Sequence, residues 1–96
     1  MSAKLKTKEE RKLHMAATKD EIREWVERGV KTGATHVIIL CDTWDWEDFP
    51  SYVEQGESVR DEVMRCQAAN DLRVMEVYNL SMDIEAQMNE HRAWHL

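Results

Sequence analysis

Residues Val37-Ile38-Ile39-Leu40-Cys41 form the longest apolar run in the chain, and no other feature constrains the fold as much. Five residues fall far short of the ~18–20 that a membrane-spanning helix needs. The run is short and β-branched, which predicts a strand over Thr35–Cys41. Successive strand side chains point to opposite faces. A strand that is apolar at every position must be covered on both faces, so it belongs at the centre of a sheet.

The cover is legible on either side. Thr18 followed by Glu21 is a capping-box pattern, and it starts a helix expected over Lys19–Lys31. Ile22, Trp25, Val26, Gly29 and Val30 fall on one stripe of that helix, and Gly33 suits a left-handed stop. Upstream, Thr7 and Glu10 repeat the capping pattern, so a further helix or an extension is expected through Leu13 and Ala17. Downstream, Pro50 can only open a strand or sit on an edge, so a short second strand is expected at Ser51–Glu54. Ser58 then caps a helix with Val59, Val63 and Cys66 on its apolar face, broken at Asn70-Asp71. Leu72–Leu80 reads as a third strand. Ser81 is expected to cap a last helix, with Asp83 and Glu85 in its first turn and His91, Arg92 and His95 in its last, a charge order that complements the helix dipole. Ile84, Met88, His91 and His95 share a face of it. The expectation is an α+β fold of order α-β-β-α-β-α, a small three-stranded sheet packed by helices.

At 96 residues the chain has room for one domain, expected over residues 18–96 behind a basic leader of residues 1–17. Its 43% apolar and 33% charged residues suit a packed domain and not a disordered tail. The leader carries a net +3 and the remainder −9. A body of that sign repels phosphate backbones, so direct nucleic-acid binding is not expected, and −9 is modest for a DNA mimic. The leader reads as a solvated terminus, with contact to an anionic surface as its alternative. It is charged throughout, unlike a secretory signal. Two cysteines without framework spacing point to free thiols in a reducing, cytoplasmic setting.

Chemistry concentrates between the first two strands. Asp42, Asp45, Glu47 and Asp48 alternate there with Trp44, Trp46 and Phe49. Flat apolar anchors ringed by charge suit a recognition surface. Trp44 or Trp46 folding back on the sheet while the acids stay solvated is the competing reading. Hard cations take several oxygens, but the spacing lacks the glycine and terminal glutamate of a calcium loop. His91 and His95 stand at i and i+4, a zinc spacing without a further ligand nearby. Asp42, Asp45, His91 and His95 form a metal site only if the last helix packs near the loop. Cys41, beside the Asp42 carboxylate, and Cys66, on a helical apolar face, read as packing residues and not nucleophiles. The six methionines read as core filler. The sequence has no serine-nucleophile elbow, phosphate loop or CxxC pair, so no catalytic residue, cofactor or resident metal is expected.

The stretch from Thr35 to Val53, with Cys41-Asp42-Thr43-Trp44-Asp45-Trp46-Glu47-Asp48-Phe49-Pro50 at its centre, resembles small uncharacterised proteins of tailed bacteriophages and prophages. Residues 73–80 and 84–93 are similar to the end of the same group. The resemblance implies a phage origin, hence a bacterial host cytoplasm, and no mechanism. The expected function is an acidic accessory protein that is not an enzyme. It binds a protein partner, a host factor or a phage assembly, through Trp44, Asp45, Trp46, Glu47, Asp48, Phe49 and Tyr52, with His91, Trp94 and His95 as further contributors. Homo-oligomerisation through the same aromatics is expected beside it. The alternatives are capture of a nucleotide-like ligand stacked by Trp44 and Trp46 between protomers, needing Arg73, Arg92 or Lys31 for its phosphates, and a metal-dependent hydrolase built on Asp42, Asp45, His91 and His95.

Overall fold

The computed structural model describes residues 16–96. Residues 1–15, with the Thr7–Glu10 pattern and nearly all of the basic leader, lie outside the described residues. Six elements follow in the order α-β-β-α-β-α: α1 Lys19–Thr32, β1 His36–Asp42, β2 Glu47–Val53, α2 Val59–Ala68, β3 Leu72–Asn79 and α3 Ile84–Met88. The sheet order is β2-β1-β3, with β1 antiparallel to both neighbours.

The apolar run therefore takes the central strand, and its five residues are all buried. Val37 and Ile39 join Ile22 and Val26 of α1 and Met88 of α3 on one face. Ile38 and Leu40 join Val63 and Cys66 of α2 on the other. The outcome is a sheet between two helical layers. No helix among the described residues is long and apolar enough to cross a membrane.

α1 begins and ends on local chemistry. The Thr18 hydroxyl accepts from the Glu21 N–H, and the Glu21 carboxylate accepts from the Thr18 N–H. Because Thr18 is extended, the upstream pattern does not extend α1 through Ala17. Gly33 closes the helix at φ 82, in the left-handed region where only glycine is unstrained. Gly29 lets the helix approach the sheet closely: a Cβ there would lie 2.9 Å from Leu80 Cδ1 and 3.0 Å from Val37 Cγ2. Val30, expected on the buried stripe, is exposed because it lies past the side of α1 that meets β1.

Three expectations need correction. β2 begins at Glu47 and not Ser51, so half of the expected acidic-aromatic loop is strand, with Pro50 inside it. Pro50 is tolerated because β2 is an edge strand. The last helix is one turn long, capped by Asp83 and not Ser81, and it stops at Asn89. His91, Arg92 and His95 therefore follow the helix instead of closing it. Of the four described methionines, Met75 and Met88 fill the core, while Met64 and Met82 are exposed.

Two side chains tie the last third together. Gln87 is buried at 1% exposure. Its Oε1 accepts from the Asn79 N–H at 2.8 Å, and its Nε2 donates to the Asn79 and Asp83 carbonyls. Arg92 donates to the Val74 and Met75 carbonyls at 3.0 and 2.9 Å, with its guanidinium 4.4 Å from the Trp94 ring centroid.

Candidate functional site

The β1–β2 connection has shrunk to four residues, Thr43–Trp46, built by Asp42. Asp42 Oδ1 accepts the Trp44 N–H at 2.8 Å and its carbonyl accepts the Trp46 N–H at 2.6 Å. Carboxylates favour such local turns because they reach a backbone donor two residues on. Trp46 takes φ 57, which costs a non-glycine residue on the order of 1 kcal/mol. The Thr43 N–H donates to the Asp71 carbonyl at 3.0 Å, fastening the turn to the α2–β3 connection.

This geometry sorts the expected surface. Trp44 is 80% exposed, and Asp45 beside it is exposed. Trp46 is half-buried. Along β2 the faces alternate. Phe49 pairs with Leu40 and shares the α2 side, as does Glu47 two residues earlier. Both are exposed. Asp48 pairs with Cys41 on the α1 side, where its Oδ2 accepts the Ala17 N–H at 3.0 Å. Tyr52 packs into the α1 layer, with its hydroxyl donating to the Trp25 carbonyl at 2.8 Å. Trp94 stands beyond β3, at the other side of the sheet. The structure thus brings together Trp44, Asp45, Glu47 and Phe49, and it sets Tyr52, Asp48 and Trp94 elsewhere. Sequence reasoning missed Asp71, which is exposed and reaches the turn through the pairing of β3 with β1. No spacing in the sequence signals that contact.

The metal reading finds no donor set: among the described residues no three His, Cys, Asp or Glu side chains converge on a common point. Asp42 spends one oxygen on its turn. His91 is exposed, and His95 Nε2 meets the Glu90 carboxylate at 2.8 Å. Their i and i+4 helical spacing does not exist, since α3 ends before either.

The thiols are buried and unpaired. Burial pushes the Cys41 thiol up, Asp48 adds to the rise and Arg73 opposes it. Burial raises Cys66 as well. Neither is poised as a thiolate. The Tyr78 hydroxyl is also driven well up, first by burial and then by its 2.8 Å hydrogen bond to Glu76. Arg73 and Arg92, the cations named for a phosphate, both line a depression of about 540 Å³ on the α1 side with Ile39, Met75 and Met88, but Trp44 and Trp46 are not among its lining residues.

Comparison of the chain with protein-family models, with curated proteins and with solved structures finds no match.

Proposed function

We propose that the protein works by binding, and that the β1–β2 turn is its recognition element. The carrying observation is Trp44, 80% exposed in a turn held by two backbone–backbone hydrogen bonds and one to the Asp42 carboxylate. Leaving an indole in water forgoes burial worth a few kcal/mol, and an ordered turn has already paid much of the entropy of docking. Tryptophan is the side chain most enriched at binding hot spots. Asp45, Glu47 and Asp71 around it select a basic or amide-rich partner surface. With the resemblance to phage proteins, that partner is a host factor or a phage assembly, and a second copy docking through Trp44 and Phe49 is the competing occupant.

The test is capture from a bacterial host lysate on the immobilised intact chain, beside Trp44→Ala. Loss of a protein from the Trp44→Ala sample supports the reading. Equal recovery on both overturns it. Trp44 is chosen alone because Trp46 carries the backbone of the turn.

Nucleotide-like ligands keep one support, the placement of Arg73 and Arg92 on the same depression. Arg92 spends two of its donors on backbone carbonyls, which leaves Arg73 as the better phosphate contact. Calorimetry that detects no binding across a nucleotide panel, or binding that Arg73→Ala leaves unchanged, removes this reading.

A further inference from the structure

The depression on the α1 side has a divided lining. Its floor is apolar, formed by Ile22 of α1, Ile39 of β1, Met75 of β3 and Met88 of α3. Its rim is charged, and the two signs are used differently. The acids that line it among the described residues are committed to the fold. Asp48 Oδ2 accepts the Ala17 N–H. Glu76 accepts from the Tyr78 hydroxyl through one oxygen and from the Ala93 N–H through the other. Both Glu90 oxygens meet His95 Nε2. The cations Arg73 and Lys19 line the same depression, and neither side chain makes a hydrogen bond or ion pair among the described residues.

The fold gathers these groups at one end of the depression. Arg73 and Asp48 both pair with Cys41, one from each neighbouring strand, so their side chains leave the same face of the sheet. The Ala17 N–H bond to Asp48 sets the start of α1, and with it Lys19, over that end. From the other side, Arg92 clamps the carbonyls of Val74 and Met75, the two residues after Arg73, and so holds His91 at the rim. About 540 Å³ with an apolar floor and a few polar groups at one end has the size and make-up of a small-ligand site. Committed carboxylates beside uncommitted cations favour an anion, and a guanidinium binds an oxyanion through paired N–H donors. Tyr78, the one Phe, Tyr or Trp among the described lining residues, is buried at 2% exposure, so a nucleobase gains no stacking face there. We propose that this depression binds a small organic anion with an apolar body, a carboxylate or sulfonate on an alkyl or aryl frame, with its head group on Arg73 and Lys19 and its frame over Ile39, Met75 and Met88. The site is independent of recognition at Trp44. It shares Arg73 with the nucleotide reading and takes a different ligand.

The experiment titrates the intact chain with the fluorescent anion anilinonaphthalene sulfonate. The expected result is a single class of dye site per chain, displaced by decanoate and not by adenosine monophosphate. Arg73→Gln should weaken dye binding roughly tenfold, because a charge-assisted contact is lost. Arg73 is exposed and bonds nothing in the fold, so this variant should melt as the intact chain does. Arg60→Gln changes an exposed arginine on α2 and should leave dye affinity unchanged, as should Trp44→Ala. The neutral parent of the dye, phenylnaphthylamine, should bind the intact chain and Arg73→Gln alike. No dye binding, affinity unchanged by Arg73→Gln, or affinity lost with Trp44→Ala overturns the proposal. Displacement by adenosine monophosphate as readily as by decanoate also overturns it, in favour of a nucleotide.

Discussion

At the scale of single residues, crowding and exposure decide what each position tolerates. Gly29 sits where α1 presses on Val37, Leu80 and Tyr52. Alanine there gains about 1 kcal/mol of helix propensity but overpacks a close contact, which costs about 1–3 kcal/mol. Gly29→Ala should therefore lose about 1 kcal/mol net in urea unfolding, and Gly29→Val clearly more. Leu80 can swing away from a methyl, whereas the Val37 branch has little freedom. His36 poses a different problem. Its Nδ1 meets the Thr35 hydroxyl at 2.8 Å, and that hydroxyl donates to the Val53 carbonyl. The imidazole must then be the donor at Nδ1, which leaves Nε2 as a buried lone pair without a partner among the described residues. Burial lowers the pKa of His36 from the ordinary 6.5. The unfolded chain takes up that proton more readily, so stability falls as pH drops below about 6.5 and is recovered above it. His36→Asn should flatten that part of the pH profile in denaturant midpoints measured between pH 7 and pH 5. A slope unchanged by the substitution would place the proton elsewhere.

Among the elements, some were readable and others were hidden by contacts that no sequence window contains. α1 and α2 announce themselves through Thr18, Glu21, Gly33 and Ser58, because caps are local chemistry. β1 is equally plain from its five apolar residues. β2 is hidden in the sequence because Glu47 and Asp48 look like a solvated loop and Pro50 sits inside the strand, both of which an edge strand tolerates. β3 contains a bulge: Ile39 pairs with Glu76 and Leu40 with Val74, leaving Met75 over. That extra residue puts Val74 and Val77 on the α2 side and Met75 and Tyr78 on the α1 side, a pattern with no single period. α3 was expected to be long from the charge order around it. Instead, Gln87 turns back to bond the Asn79 backbone and Arg92 takes strand carbonyls, and neither contact leaves a periodic trace. Gln87→Ala takes the partner of the Asn79 N–H and one of the two donors to the Asn79 carbonyl, which keeps the Met82 N–H, and should cost about 1–3 kcal/mol. Gln87→Glu, which keeps the acceptor but loses the donor and buries a charge, should be no better. Thermal melts of the two variants check this, and a loss below about 1 kcal/mol in both would mean that water takes over the contacts.

Taken as one molecule, the protein is a central strand covered from both sides, with its most exposed tryptophan at one end of the sheet and Asp45, Glu47 and Asp71 near it. Of the expected recognition surface, Trp44, Asp45, Glu47 and Phe49 stand together. The others went to packing or to a distant edge because alternate strand positions face opposite ways. The net −9 beyond the leader should steer a basic partner inward, so association should slow as salt rises, and Asp45→Asn with Glu47→Gln should weaken that dependence without changing the melting temperature. Trp44→Ala should likewise leave stability within about 0.5 kcal/mol, since an exposed side chain contributes little to the fold. The most direct measurement is the dissociation constant of the captured partner, determined by calorimetry for the intact chain, for Trp44→Ala and for Met64→Ala, which changes an exposed apolar residue on α2. The expected result is at least a roughly tenfold weaker complex for Trp44→Ala and no change for Met64→Ala. Equal affinity of Trp44→Ala and the intact chain would contradict recognition at the turn.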